Sequence, residues 1–197
     1  MRPRYYAEVA TEGDLDEAVI VKVFADFGWE MVRNNGKRGK DHIRSHINAY
    51  NKAAACATWV VLVDLNDTAP CPPLLTRQWL PQRAPGMKFS VAVRAVESWL
   101  LADRDNLSSY LAINRVLVPQ NPERILNPKP LMLELARRSR SRRIREGLLP
   151  PDGSTMKHGP LYISYLSDFV CNYWDFNAAA RIAPSLDYLI MKLRTAC

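Results

Sequence analysis

The chain has 197 residues, 48% of them hydrophobic, with a formal net charge of +7 and a pI near 9.4. That hydrophobic share excludes a disordered protein, and no apolar run approaches the about 18 residues needed to span a bilayer. The length suits one α/β domain with a small appendage, and the positive balance favours a polyanionic partner without bearing on the fold.

Tyr5 to Ala10 reads as a first strand. Leu15, Val19, Val23, Phe24 and Phe27 then recur at helical spacing, predicting an amphipathic helix that stops at Gly28. Glu30 to Arg33 is a short second strand, closed by the turn signal Asn35-Gly36. Ile43, Ile47, Tyr50 and Ala54 mark a second helix. Thr58 to Val63 is a continuous apolar run, as expected of a parallel strand covered on both faces. Pro70 to Pro85 is expected to be a loop with one helical turn around Leu74 to Trp79. Phe89 to Val93 makes a fourth strand, and Val96, Trp99, Leu100, Leu107 and Leu111 continue as helix.

Strand and helix in alternation predict an open α/β, Rossmann-like, mostly parallel sheet with right-handed crossovers over residues 1–115. Residues 116–197 read as a helical, basic portion. Leu131 to Arg145 is expected to be one helix whose polar face is largely arginine. Pro150-Pro151-Asp152-Gly153 breaks it, and further helices follow, the last from Ser185 with Leu186, Leu189, Ile190 and Leu193 on one face.

Met1-Arg2-Pro3-Arg4-Tyr5-Tyr6 lacks the apolar stretch of a secretion signal, so the cytoplasm is the expected compartment. Cys56, Cys71, Cys171 and Cys197 form no C-x-x-C pair and are read as small packing or surface groups. His42 and His46 are one helical turn apart, but without an H-E-x-x-H pattern they are read as packed or surface residues.

The chemistry-bearing feature is a set of carboxylates at strand ends. Glu12-Gly13-Asp14-Leu15-Asp16 follows the first strand, Asp64-Leu65-Asn66-Asp67 the third, and Glu97 the fourth. Open α/β sheets bind ligands at the carboxyl ends of their strands, so these groups share one expected edge. Mg²⁺ takes oxygen ligands, commonly one or two carboxylates with water and substrate phosphate, and can neutralise charge on a reacting phosphate. Asp14 and Glu17 are expected to cap the first helix, where the dipole favours acids. Arg137, Arg138, Arg140, Arg142, Arg143 and Arg145 fall within nine residues, with Glu146 beside them. Guanidinium forks match phosphate geometry, so nucleic acid is the expected contact of this run.

Glu12-Gly13-x-x-Asp16, the Asn35-Gly36 turn and Asp64-x-Asn66-Asp67 together resemble a Toprim domain, the module of topoisomerases, primases and OLD-family nucleases. Val96-Glu97-Ser98-Trp99-Leu100-Leu101-Ala102-Asp103-Arg104 resembles the signature of a bacterial Toprim-like family of unknown function, often encoded beside ATPases in anti-phage defence loci. The likeness covers roughly residues 5 to 111, with weaker echoes at Asn127-Pro128-Lys129-Pro130 and Met156-Lys157-His158. It implies a Mg²⁺- or Mn²⁺-dependent nuclease with a catalytic Glu12 and metal ligands at Asp16, Asp64 and the acid after it. Asn66 stands in the second place of the usual D-x-D, so Asn66 and Asp67 are both candidate ligands, with Glu97 as an extra one and Lys157 as an electrophilic helper. An ATPase partner protein is implied as well. The alternative is a non-catalytic basic subunit of such a complex with a degenerate acidic site; a phosphate-binding module using arginines alone is a third option.

Overall fold

A computed structural model describes residues 4–194. Met1-Arg2-Pro3, part of the segment inspected for a secretion signal, and Cys197 lie outside them. The chain divides into two units, one running to Val96 and resuming at Ser185, the other Glu97–Pro184. The boundary expected near residue 115 thus falls inside the second unit, and the last helix returns to the first.

Four strands, β1 (Tyr5–Thr11), β2 (Trp29–Asn34), β3 (Trp59–Asp64) and β4 (Met87–Ala92), form an all-parallel sheet in the order β2-β1-β3-β4. Helices flank it, as in a Rossmann-like α/β fold: α1 (Asp14–Phe27), α2 (Lys40–Ala53) and α3 (Pro72–Trp79) are the crossovers. All six residues of β3 are buried, which is why that strand reads as an unbroken apolar run. On one face Ile43, Ile47 and Tyr50 of α2 and Leu75 and Trp79 of α3 close a core over Val61, Val63, Phe89 and Val91. Helix α1 packs against β1 and β2. It ends at Gly28, whose φ of 70° is the left-handed conformation glycine adopts without strain.

Helix α3 has eight residues rather than the single turn expected. The two prolines that suggested a loop occupy its first positions, where a missing N–H costs nothing and φ is already helical.

In the second unit α4 (Val96–Ala102, whose first residue closes the first unit) and α5 (Arg104–Tyr110) are separate helices. Asp103 divides them. Only 3% exposed, it accepts hydrogen bonds from Asn106 N (3.4 Å), Asn106 Nδ2 (2.9 Å) and Asp175 N (2.7 Å). Trp99 is fully buried, and its carbonyl accepts from Trp174 Nε1 at 3.3 Å. Within the conspicuous segment from Val96 to Arg104, Trp99 packs and Asp103 caps.

The single helix expected over Leu131 to Arg145 is two: α6 (Pro128–Arg137) and α7 (Arg142–Leu148). Ser139 and Ser141 interrupt it. Ser141 caps α7 by accepting from Ile144 N (3.4 Å), and the buried Ser139 hydroxyl donates to Leu111 O at 2.5 Å. Ser139 Oγ also accepts from Ser141 N at 3.0 Å, and serines that bond the local backbone compete with helix continuation. Next come α8 (Tyr162–Asn172) and α9 (Phe176–Ala180).

Helix α10 (Pro184–Arg194) belongs, from Ser185 onward, with the sheet. Trp29 Nε1 donates to Leu193 O (3.2 Å), Lys88 Nζ to Lys192 O (2.8 Å), and Val93 N to Ser185 Oγ (3.2 Å). Among the described residues no helix is long and apolar enough to cross a membrane.

Candidate functional site

The sheet order makes the gap between β1 and β3 a topological switch point, because the chain leaves β1 towards β2 on one side and later fills β3 and β4 on the other. Loops diverge there, leaving a crevice outside the carboxyl ends of the strands. Thr11 ends β1 and Asp64 ends β3, so the loops beginning at Glu12 and Leu65 both start at this crevice.

The loop after β2 builds the near wall. Asn35 N donates to Val9 O (2.7 Å), Lys37 N to Thr11 O (2.7 Å) and Gly39 N to Glu12 O (3.0 Å), so the ladder continues past the strand. Asn34 braces it, with Nδ2 donating to Thr11 Oγ1 (2.7 Å) and Oδ1 accepting from Gly36 N (2.9 Å). Gly36 is required by this approach: a Cβ there would lie 2.1 Å from Thr11 O. The Asn35-Gly36 turn signal thus marks a close backbone passage along β1.

Glu12 and Asp64, 52 positions apart in the chain, are joined directly. Asp64 N donates to Glu12 Oε1 at 2.8 Å, and Asp64 Oδ1 accepts from Val96 N at 3.1 Å. Asp64 is 2% exposed, whereas Glu12 is half-buried. One carboxylate therefore orders the end of the next strand while the other is anchored from behind.

Lys40 is the functional candidate that sequence reasoning missed. From the first position of α2 its Nζ donates to Asp64 O, to Leu65 O (3.2 Å) and to Thr68 Oγ1 (2.7 Å), binding the loop after β3. A signal was present, since a lysine opening a helix opposes the dipole and invites another explanation.

The remaining expected ligands are placed differently. Asp16, not Asp14 or Glu17, caps α1: Gly13 is the N-cap residue, and its N–H donates to Asp16 Oδ2 at 2.9 Å. Asp14 and Glu17 instead hold Lys37, at 2.5 and 2.7 Å, and these two bonds push the Lys37 pKa up. Asn66 has a φ of 45°, a left-handed conformation that asparagine tolerates better than most residues. It serves the turn, donating from N to Arg94 O (2.8 Å) and accepting from Arg94 Nη1 (3.1 Å) at its carbonyl. Asp67, one position on, has a side chain 94% exposed and pairs with Arg94 at 3.5 Å. Glu97 lies in the second unit, 2% exposed, with Oε1 accepting from Tyr162 OH at 3.3 Å. Lys157 is also there, exposed in the loop before α8.

Among the described residues no three His, Cys, Asp or Glu side chains gather closely enough to hold a metal ion. The Glu12 carboxylate and the Asp64 residue are directly joined, through the backbone N–H of Asp64. Mg²⁺ commonly uses no more than one or two carboxylates, so the Glu12–Asp64 pair fits its donor chemistry.

His42, half-buried, and His46, exposed, have ring centroids 4.2 Å apart with the rings tilted by 36°. Cys56 and Cys171 are exposed and Cys71 half-buried.

The six arginines are divided by the break between α6 and α7. Arg138 pairs with Glu134 (2.9 Å) and Arg142 with Glu146 (2.7 Å); Arg145 reaches Ser139 O. Arg143 Nε donates to Tyr165 OH at 2.7 Å, and its guanidinium lies 5.2 Å from that ring's centre. Arg137 and Arg140 are exposed with no side-chain partner among the described residues. The run is a basic surface partly neutralised by its own acids.

No family model, curated protein or solved structure matches this chain.

Proposed function

We propose that this chain is a Toprim-like nuclease dependent on Mg²⁺ or Mn²⁺, acting on nucleic acid in the bacterial cytoplasm alongside an ATPase partner in anti-phage defence. The observation that carries the hydrolytic part is the 2.8 Å bond from Asp64 N to Glu12 Oε1 at the carboxyl ends of β1 and β3. The family, the defence setting and the ATPase partner rest on the resemblance of residues 5 to 111.

In this reading Glu12 and Asp64 would hold the cation, which would supply neutralising charge to the reacting phosphate. Glu12, half-buried, exchanges a proton with the attacking or leaving oxygen. Lys40 fixes the loop after β3 and contributes positive charge where phosphate charge develops. Arg137, Arg140 and Arg143, which no acid pairs among the described residues, offer the phosphodiester backbone its counter-charge; such contacts position a strand and do not read its sequence. Glu97 has a hydrogen-bond partner within its own unit and is assigned to packing.

The experiment is cleavage of single- and double-stranded DNA and RNA by purified protein with Mg²⁺ or Mn²⁺. Glu12→Gln should lower the rate by about 10²–10⁴, the range associated with a positioned proton-transfer group, and Asp64→Asn should lower it by weakening the hold on the cation. Equal rates in wild type and both variants would end the proposal.

A second reading, a basic binding subunit with a degenerate acidic site, is favoured by one observation: Asn66 serves the turn, and Asp67 is exposed rather than turned inward. It predicts nucleic-acid binding indifferent to chelators and no heat of Mn²⁺ binding in calorimetry. An arginine-only phosphate-binding module would share that indifference and bind inorganic phosphate.

A further inference from the structure

A cavity of about 410 Å³ lies in the second unit among α5, α7 and α8, and of its lining only Arg143 was singled out by sequence. Tyr110 comes from α5, Arg143 from α7, Tyr165 and Asp168 from α8, and Tyr173 from the C-cap of α8. The volume falls in the range of about 300–1,000 Å³ typical of small-ligand sites.

The partner of Arg143 sets it apart. Arg138 and Arg142 are neutralised by glutamates, but Arg143 bonds the neutral phenol of Tyr165. Its positive charge is retained, and its two terminal nitrogens have no protein partner among the described residues. The guanidinium also lies near the Tyr165 ring, fixing the fork in position. Asp168, a carboxylate in the same lining, acts on this charge without bonding it, and a fork whose terminal nitrogens are open is suited to a phosphate.

Two further aromatic rings line the cavity. Tyr173 is 55% exposed, with its ring centre 5.2 Å from that of Tyr110 and tilted by 50°. The Tyr110 hydroxyl is committed inward, within hydrogen-bond reach of Tyr165 O (2.8 Å) and Asp168 Oδ2 (3.0 Å). Burial, then the bond to Asp168, pushes the Tyr110 pKa up, so it stays neutral. Asp168 Oδ1 accepts from Asn172 Nδ2 at 2.7 Å. This carboxylate is thus ordered by two neutral donors and keeps lone pairs for a sugar hydroxyl or a base amino group.

We propose that this cavity binds one nucleoside monophosphate unit, with the base against Tyr173, the phosphate on the Arg143 fork, and a hydroxyl or amino group donating to Asp168. The unit comes either from a single strand or from a free nucleotide, because a base stacked and paired in a duplex cannot reach Tyr173. The inference deepens the nuclease reading by naming the substrate class, and it rests on that reading for the identity of the polymer.

The test is fluorescence anisotropy of labelled single-stranded DNA and RNA oligonucleotides and their duplexes, with chelator present to prevent cleavage. Wild type should prefer single strands. Tyr173→Ala and Arg143→Ala should each weaken binding at least about fivefold, the low end for losing one base–aromatic stack, while Tyr173→Phe should keep it. Arg143→Lys should restore binding only in part, since it lacks the planar fork. Thermal unfolding of each variant checks that the helices remain intact.

Adenosine and uridine monophosphates serve as competitors. Displacement at sub-saturating oligonucleotide assigns the cavity to free nucleotides; no displacement, with the variant losses present, assigns it to a strand. Oligonucleotide and mononucleotide binding unchanged in both alanine variants, or absent in wild type, would overturn the proposal. Cleavage with Mg²⁺ alongside unchanged binding in the variants would defeat this inference alone. Tyr173-dependent binding without cleavage under any divalent cation would defeat only the nuclease reading.

Discussion

Replacing Glu12 tests whether the carboxylate at the end of β1 holds the end of β3. Glu12→Gln removes the charge but keeps an acceptor where Oε1 stands, 2.8 Å from Asp64 N. Glu12→Ala removes charge and acceptor together. Because both variants lose the charge, any repulsion from Asp64 is relieved equally, and their difference reports the hydrogen bond together with the packing of the side-chain stem. A net bond contributes about 0.5–1.5 kcal/mol, and a buried donor left without its partner costs about 1–3 kcal/mol. Asp64 is 2% exposed, so Glu12→Ala should be less stable than Glu12→Gln by about 1–3 kcal/mol. For a chain of this size each kcal/mol moves Tm by about 2–4 °C. The assay is urea and thermal unfolding at pH 7 with chelator, so that no cation contributes. Indistinguishable midpoints for the two variants would show that Glu12 does not reach β3, and the geometric argument for the site would fail.

Gly36→Ala places a Cβ 2.1 Å from Thr11 O, so the loop must lift off β1; a loss of at least about 1–3 kcal/mol, the usual cost of overpacking, is expected in urea unfolding. Asp103→Ala strands donors at Asn106 and Asp175 and should cost about 1–3 kcal/mol in the same measurement, whereas Asp103→Asn should lose less by keeping one acceptor oxygen. Burial, then repulsion from Arg83 and Lys88, pushes the Lys192 pKa down to about 7 from its ordinary value of 10.5. Between those values the unfolded chain binds the extra proton, so this group's contribution to stability rises with pH across the window. Lys192→Met should therefore stabilise the protein most at pH 6 relative to wild type, with the advantage shrinking towards pH 10. Urea midpoints at pH 6, 8 and 10 measure it, and an advantage that grows with pH would refute the assignment.

The parallel sheet was legible because its physical signature is local. A strand covered on both faces reads as an apolar run, and the turn at Asn35-Gly36 needs a residue without a side chain against Thr11. Elements set by remote partners were not legible. The arginine-rich helix breaks because Ser139 and Ser141 find backbone partners that periodicity does not register. The first residues of α3 read as loop because proline is penalised in a helix interior but suited to its first turn. At the site, Glu12 and Asp64 were visible as acids following strands. Asp67, expected as a ligand, follows the left-handed turn at Asn66, and its side chain lies in solvent beside Arg94, a placement that spacing alone does not register. Lys40 was overlooked because its three acceptors lie 24 to 28 positions away along the chain.

The account depends on Glu12 and Asp64 sharing one cation. The most direct measurement is anomalous X-ray diffraction from crystals of the protein grown with Mn²⁺. The account predicts a peak within about 2.5 Å of carboxylate oxygens of both Glu12 and Asp64, at ordinary distances for a hard cation. A fully occupied Mn²⁺ peak elsewhere, with none beside this pair, would contradict it.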